Sequence, residues 1–283
     1  MFVYRYRYQF PVRICCRVLE VSPSGYYAFL RRRGESIRQA DLIAKVREIH
    51  RQSRFTYGSR RIMYQLQREH VAIGRFRVRR LMRLAGVSAR KRRRYKITTQ
   101  SHHRYPVAPN LIQRCFQTEK PNMVWVSDIT YIKTAEGWLF LAVVMDLYSR
   151  KIVGWSLARN MTVEMVKNAI MMAIGRRTPG PGLIHHSDRG IQYACDEYHR
   201  LLQSYGIVGS MSSSGNCLDN AVAERFFCTL KTECLVNWRN MPAEEVKHDI
   251  VDYIEMFYNS ERLHSFNEYF SPNDYEKLTV NLV

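Results

Sequence analysis

Three apolar segments follow one another between Met123 and Leu157 with only short turns between them, and they restrict the fold of this chain more than any other feature. Met123–Lys133 (MVWVSDITYIK) alternates and is rich in β-branched and aromatic residues. Trp138–Leu147 is almost continuously apolar, and Lys151–Leu157 forms the third segment. Such runs, punctuated by Thr134–Gly137 and Tyr148–Arg150, mark three consecutive strands. A helix is expected from about Val163 to Gly175, ended by the breaker Thr178-Pro179-Gly180-Pro181-Gly182. A short strand then leads into His185, a helix spans about Tyr193 to Tyr205, and a fifth strand covers Ile207–Ser210. A long helix from about Asp219 to Leu235 and another from Pro242 to about Tyr258 complete a mixed α/β layer arrangement.

One residue does not suit the apolar pattern. Asp128 stands inside the first strand, flanked by Val126, Ile129, Tyr131 and Ile132, and a buried acid is costly unless it is paired or holds a cation. Asp188, in HHSDRG, follows the fourth strand. With that strand placed beside the first, the two acids come together. Glu224, in NAVAERFF, sits on the long helix among Ala221, Val222, Ala223, Phe226 and Phe227. Three carboxylates from two strands and a helix suit Mg²⁺ or Mn²⁺, which take carboxylate oxygens and keep positions open for phosphate. Two such ions activate a water or a 3′-hydroxyl and stabilise the departing oxygen. Spacing by itself fits equally well a hydrogen-bonded Asp128 and a surface Glu224.

Charge separates the two halves of the chain. Residues 1–120 carry 29 Lys+Arg against 6 Asp+Glu, whereas residues 121–283 carry 15 against 19. A net of +23 confined to one end is the footprint of a polyanion binder, and charge alone leaves RNA and membrane surfaces open beside DNA. The longest apolar run, Trp138 to Met145, is far short of the about 20 residues that span a bilayer, so no membrane span is expected. MFVYRYRYQF lacks the apolar core of a signal peptide. Seven cysteines without framework spacing suit a reducing compartment. Cytoplasmic residence follows as the expectation.

The basic half reads as helices. A piece from Val12 to Leu19, the turn Ser22-Pro23-Ser24-Gly25 and a piece around Tyr26–Leu30 are compatible with a helix-turn-helix unit. A longer helix is expected over about Ile37–Arg51, another from Gly58 to His70, and a third from Arg75 to Ala85, stopped by Gly86. Arg75, Arg77, Arg79, Arg80 and Arg83 cover much of the third, which suits a phosphate backbone or a major groove. Arg90-Lys91-Arg92-Arg93-Arg94 repels itself unless it meets a partner. The chain therefore divides into a helix-turn-helix-like segment at 1–34, a helical DNA-engaging domain at 35–87, a basic linker at 88–120 and an α/β core with a C-terminal helix at 121–277.

A set of stretches, in order, carries a family resemblance: SGYY at 24–27, YGSRRI at 57–62, WVSDITYI at 125–132, DLYSRKIVGW at 146–155, HSDRGIQY at 186–193, SMSSSGNCLDNAVAERFF at 210–227, LKTE at 230–233 and YNSERLHS at 258–265. With these the chain resembles an insertion-sequence transposase of the retroviral-integrase-like superfamily, most nearly the second-frame (OrfB) product of two-frame bacterial elements. The 35 residues between Asp188 and Glu224 are the family's DD(35)E interval.

The resemblance implies an RNase H-like catalytic core, a mixed five-stranded sheet flanked by helices, behind a small all-helical DNA-binding domain. It implies Asp128, Asp188 and Glu224 as catalytic and metal-binding residues, holding Mg²⁺ or Mn²⁺, two ions. It implies 3′-end cleavage and strand transfer on double-stranded DNA, within a synaptic assembly of several copies, in a bacterial cytoplasm and on its nucleoid. An upstream-frame product is implied as fusion or partner. Lys231, seven positions after Glu224 and on the same helical face, matches a basic residue that contacts element-end DNA in related enzymes. Asn220 shares that face and is a candidate to orient a metal-bound water or a phosphate. Arg189, with His185 and His186, flanks the acids. Cys15-Cys16 and His102-His103 lack ligand spacing, so no structural zinc is expected. Two rival readings remain at this point: a structure-selective nuclease of the same fold, and a non-catalytic DNA-binding relic or repressor.

Overall fold

The computed structural model describes residues 2–90, 107–213, 217–234 and 238–280, in two compact units that divide between Ala89 and Arg90. The first unit is helical: α1 (Phe2–Tyr6), α2 (Val12–Val18), α3 (Pro23–Gln52), α4 (Ser59–Arg68) and α5 (Arg75–Ala85). Val46 and Ile49 of α3, Ile62 and Leu66 of α4, and Val78 and Leu81 of α5 form its buried apolar interior. The buried His50 joins α3 to the segment after α5 through Ser88 O, 3.1 Å away. The expected turn at Ser22–Gly25 is a helix start. The Ser22 hydroxyl accepts from Gly25 N at 3.0 Å and Pro23 holds the first helical position, a pairing that favours helix nucleation there. Two expected helices, around Tyr26–Leu30 and Ile37–Arg51, are therefore one. Gly34 lies inside it, at a cost of about 1 kcal/mol relative to alanine that a helix of this length absorbs.

The second unit contains β1 (Val124–Thr134), β2 (Gly137–Asp146), β3 (Ile152–Ala158), α6 (Val163–Arg177), β4 (Ile184–Ser187), α7 (Ile191–Ala194), α8 (Asp196–Ser204), β5 (Val208–Met211), α9 (Ala221–Glu233), α10 (Ala243–Asp252) and α11 (Pro272–Val280). A π-helical turn, Tyr253–Tyr258, continues α10. The sheet runs β3-β2-β1-β4-β5. β1 and β2, and β2 and β3, are antiparallel; β1 and β4, and β4 and β5, are parallel. All five strands stand where the apolar runs place them. The helix expected over Tyr193–Tyr205 is interrupted at Cys195, whose backbone is extended (φ −71°, ψ 149°).

One face of the sheet, with Trp125, Ala142, Val144 and Val153, packs on Ile170 and Ala173 of α6 and on Tyr198 and Leu202 of α8. The approach of α6 to β3 depends on Gly154. A Cβ there would lie 2.2 Å from Ala169 O and 2.9 Å from Ala173 Cβ. Gly154→Ala is expected to lower stability by about 1–3 kcal/mol, the usual cost of overpacking a rigid core, read as a fall in the urea midpoint at unchanged m-value. α9 lies against β1 on the opposite face.

Two buried acids organise the periphery. Asp146, fully buried, accepts from Asn122 N (2.8 Å) and Tyr148 N (2.9 Å) and pairs with Arg177, which also grips Glu276 of α11 at 2.8 and 2.9 Å. Asp219 directly precedes Asn220, which takes the N-cap position of α9. Asp219 accepts from Ser213 N (2.9 Å), Asn110 Nδ2 (3.1 Å) and Arg114 Nε (2.9 Å). With Leu111 N on Ser210 Oγ and Met211 N on Pro109 O, it binds residues 109–114 along the edge of the sheet at β5.

Candidate active site

Strand pairing brings the first two acids together. β1 and β4 run parallel with Ser127 opposite Ser187, so the residues that follow, Asp128 in the middle of β1 and Asp188 just past the end of β4, stand side by side. Backbone amides orient both: Ile129 N donates to Asp128 Oδ1 at 2.8 Å, and Gly190 N donates to Asp188 Oδ1 at 3.0 Å. The third acid arrives on α9. Asn220, at the helix start, donates from Nδ2 to Ser127 O at 2.9 Å, next to Asp128, and Glu224 follows one helical turn later.

Electrostatics record the convergence. The Asp128 carboxyl is raised well above its ordinary range, first by burial and then by the charges of Asp188 and Glu224. The Ile129 amide and Lys231 pull the other way. Glu224 is likewise raised, by burial and then by Asp188. Burial lowers Lys231, while the Asp128 charge supports its protonation. Lys231 therefore faces the acids from the same helix, as its spacing suggests.

Asn220, a candidate to meet phosphate or water, is 3% exposed and serves as a strut between α9 and β1. Arg189 donates from Nε to Ser212 O at 2.7 Å, which ties the loop after β4 to the end of β5. Arg75, Arg79, Arg80 and Arg83 all lie exposed on α5. Arg92, Arg93 and Arg94 fall outside the described residues. Tyr131 follows Asp128 in β1. Its phenol is raised by burial and then by Asp188 and Asp128, and it approaches Met161 Sδ at 3.7 Å.

His185 and His186 are buried and structural. His185 Nε2 meets Ser127 Oγ (2.7 Å) and Tyr198 OH (3.2 Å), whereas His186 is held by Ser210 Oγ (2.9 Å) and Ser212 Oγ (3.2 Å). Burial, aided by the charges of His186 and His199, pushes His185 down to about 3. Burial also pushes His186 down to about 4, against the pull of Asp219. Both are neutral at pH 7. As pH falls below about 6.5, the unfolded chain binds protons that these folded imidazoles refuse, so folding stability is lost. Each contributes up to about 1.4 kcal/mol per pH unit between there and its folded value. Urea midpoints at pH 7, 6 and 5 are expected to decline, and His186→Asn to flatten the decline. The raised carboxylates act in the opposite sense but are common to both proteins, so the difference isolates the imidazole.

Carboxylates in mutual repulsion are the donor set a hard divalent cation satisfies. Among the described residues, however, no three His, Cys, Asp or Glu side chains are gathered closely enough to hold an ion as they stand.

A parallel pair of strands delivering two acids, a helix delivering a third and a separate basic helical unit define an integrase-type core with a DNA-binding module. The integrase core domain family matches residues 118–217, a second integrase core domain model matches 224–280, and an HTH-like domain matches 36–95. The chain belongs to the IS3-type insertion-sequence transposases. It is 41% identical over 252 residues to the uncharacterized 31 kDa protein of insertion element IS600 from Shigella sonnei, covering 88% of this chain and 93% of that one. It is 35% identical over 280 residues to transposase InsF for insertion sequence IS3A from Escherichia coli K12, covering 98% and 97%. Among solved structures, the HTLV-2 integrase catalytic core domain in complex with magnesium aligns with a TM-score of 0.44 and 19% identity, over 56% of this chain and 98% of that one. The integrase/transposase core is of the class that carries polynucleotidyl transferase activity. Among the described residues no helix is long and apolar enough to cross a membrane.

Proposed function

We propose that this chain cuts the ends of an insertion element and joins them to new DNA, with Asp128, Asp188 and Glu224 as its catalytic carboxylates. The observation that carries the reading is the convergence of three repelling carboxylates from β1, β4 and α9. They would hold Mg²⁺ or Mn²⁺, as two ions. Such ions, when bound, supply activation of the attacking oxygen and stabilisation of the leaving one.

In the first step a water oxygen attacks the phosphorus at the element end, the bond to the 3′-oxygen breaks, and that oxygen leaves protonated as a 3′-hydroxyl. In the second, the 3′-oxygen attacks another phosphodiester, loses its proton, and displaces a new 3′-hydroxyl. No covalent link to protein is needed. Asp128 and Asp188 are oriented by backbone amides, so their oxygens need little reorganisation. Lys231 brings a cation to the same face of α9 to meet the element-end phosphates, and Arg189 stands at the rim. The exposed arginines of α5 bind duplex DNA, and the basic stretch containing Arg92, Arg93 and Arg94 follows its backbone. Cleavage of two ends calls for self-association in a synaptic complex, and an upstream-frame product is the proposed fusion or partner. The setting is the bacterial cytoplasm, at the nucleoid.

The test is a labelled duplex bearing the element's own terminal repeat, incubated with Mg²⁺ or Mn²⁺ and scored for cleaved and joined strands. Joined products establish the reading. Cleavage without joining makes the protein a nuclease, and binding alone, persisting in the upstream-frame fusion, makes it a DNA-binding relic.

A further inference from the structure

Phe76, the second residue of α5, is 84% exposed. The helix does not use it for folding, because Val78, Leu81, Met82 and Ala85 already form its buried side. Every arginine of α5 lies on the outside, and the helix RFRVRRLMRLA contains no acid. Phe76, Arg79, Arg80 and Arg83 follow the i, i+3, i+4, i+7 spacing that lines one helical face. A phenyl ring thus heads a stripe of three guanidinium groups at the N-terminal end. That end has Gly74 as an N-cap without a side-chain bond, and arginines at its first and third positions, where the helix dipole favours anions. The whole face is complementary to a polyanion.

We infer that Phe76 is a sequence-reading residue, whose ring packs on the 5-methyl group of a thymine in the major groove of duplex DNA. The inference rests on the proposed role of α5 in DNA binding and adds what that role leaves open. Arginine contacts to phosphate fix position but carry no sequence information. In a groove-bound helix the N-terminal residues are those that reach base edges. The thymine methyl is the apolar group the major groove offers there, and an aromatic side chain is a natural partner for it. A membrane surface is the poorer match, because a helix lying in a bilayer interface presents a broad apolar face opposite its basic one. Here the face opposite the arginines is already buried in the unit's own interior.

The experiment lets the full chain select duplexes from a random-sequence pool. Binding is then measured across a range of salt for a selected duplex, a scrambled duplex of the same composition, and versions with deoxyuridine replacing one thymidine at a time. Phe76→Ala is expected to keep the unfolding temperature and the salt dependence but to lose roughly ten-fold in discrimination between selected and scrambled duplexes. One thymidine-to-deoxyuridine change should weaken the wild type by a similar factor and leave Phe76→Ala unaffected. Arg79→Ala and Arg83→Ala should weaken both duplexes alike and each reduce the salt slope by about one. If the arginine variants behave so while Phe76→Ala discriminates like the wild type, the inference falls and the DNA-binding role of α5 stands. If the arginine variants bind like the wild type, that role falls and takes the inference with it.

Discussion

Asp128→Asn is expected to reduce strand joining by at least about a thousand-fold, equivalent to about 4 kcal/mol in the barrier, while raising the unfolding temperature of the metal-free protein. The two effects share one cause. An acid whose folded pKa is raised stabilises the fold most below its ordinary value, and that benefit is lost as pH rises through the raised one. A charge on Asp128 stands against those of Asp188 and Glu224 and is only partly offset by Lys231 and the Ile129 amide, and an amide of the same shape removes the repulsion. Addition of Mg²⁺ or Mn²⁺ should then stabilise the wild type and do little for the variant. Joining at wild-type rates by Asp128→Asn, or a lower metal-free unfolding temperature, would overturn the assignment.

Glu233→Ala is expected to destabilise the core unit by about 3–5 kcal/mol, the cost of leaving one partner of a buried ion pair alone. Glu233 and Arg262 are almost wholly buried and joined by two bonds, Nε–Oε2 at 2.6 Å and Nη2–Oε1 at 2.7 Å. Tyr253 OH adds a third bond to Glu233, at 2.8 Å. This group ties the end of α9 to the C-terminal segment, as Asn220 ties its start to β1, so the helix that carries Glu224 and Lys231 is fixed at both ends. Arg262→Ala should cost as much. Replacing both by apolar residues, as in Glu233→Leu with Arg262→Met, should recover most of the loss, because no buried charge then lacks its partner. Urea unfolding of the three proteins measures each term. A single variant as stable as the wild type would show that the pair is dispensable.

The parts legible in the sequence were those in which a local pattern and a physical cost coincide. The strands showed through their β-branched alternation, and Asp128 showed because an acid inside such a run is expensive. Lys231 enters through the family resemblance, and helical spacing puts it on the face of Glu224. The start of α3 reads as a turn because serine, proline and glycine serve turns and helix N-termini alike, and only the Ser22 hydroxyl bond decides between them. The Glu233–Arg262 pair lay inside two recognisable motifs, LKTE and YNSERLHS, yet nothing local joins residues that far apart. Asn220 is expected on the face of Glu224, but the carbonyl of Ser127, which makes it a strut, belongs to another element.

The parallel register of β1 and β4 also decides where this chain tolerates a change of length. Pairing is specified from Val124 opposite Ile184 to Ser127 opposite Ser187, four residues on each strand. Deleting one residue inside either span would swing its acid to the opposite face of the sheet, toward α6 and away from α9. Residues added at the β2–β3 turn or in the breaker at 178–182 leave both acids where they are, because the surface loops absorb the extra chain. The protein counts residues strictly within two short spans and loosely across the loops that join them.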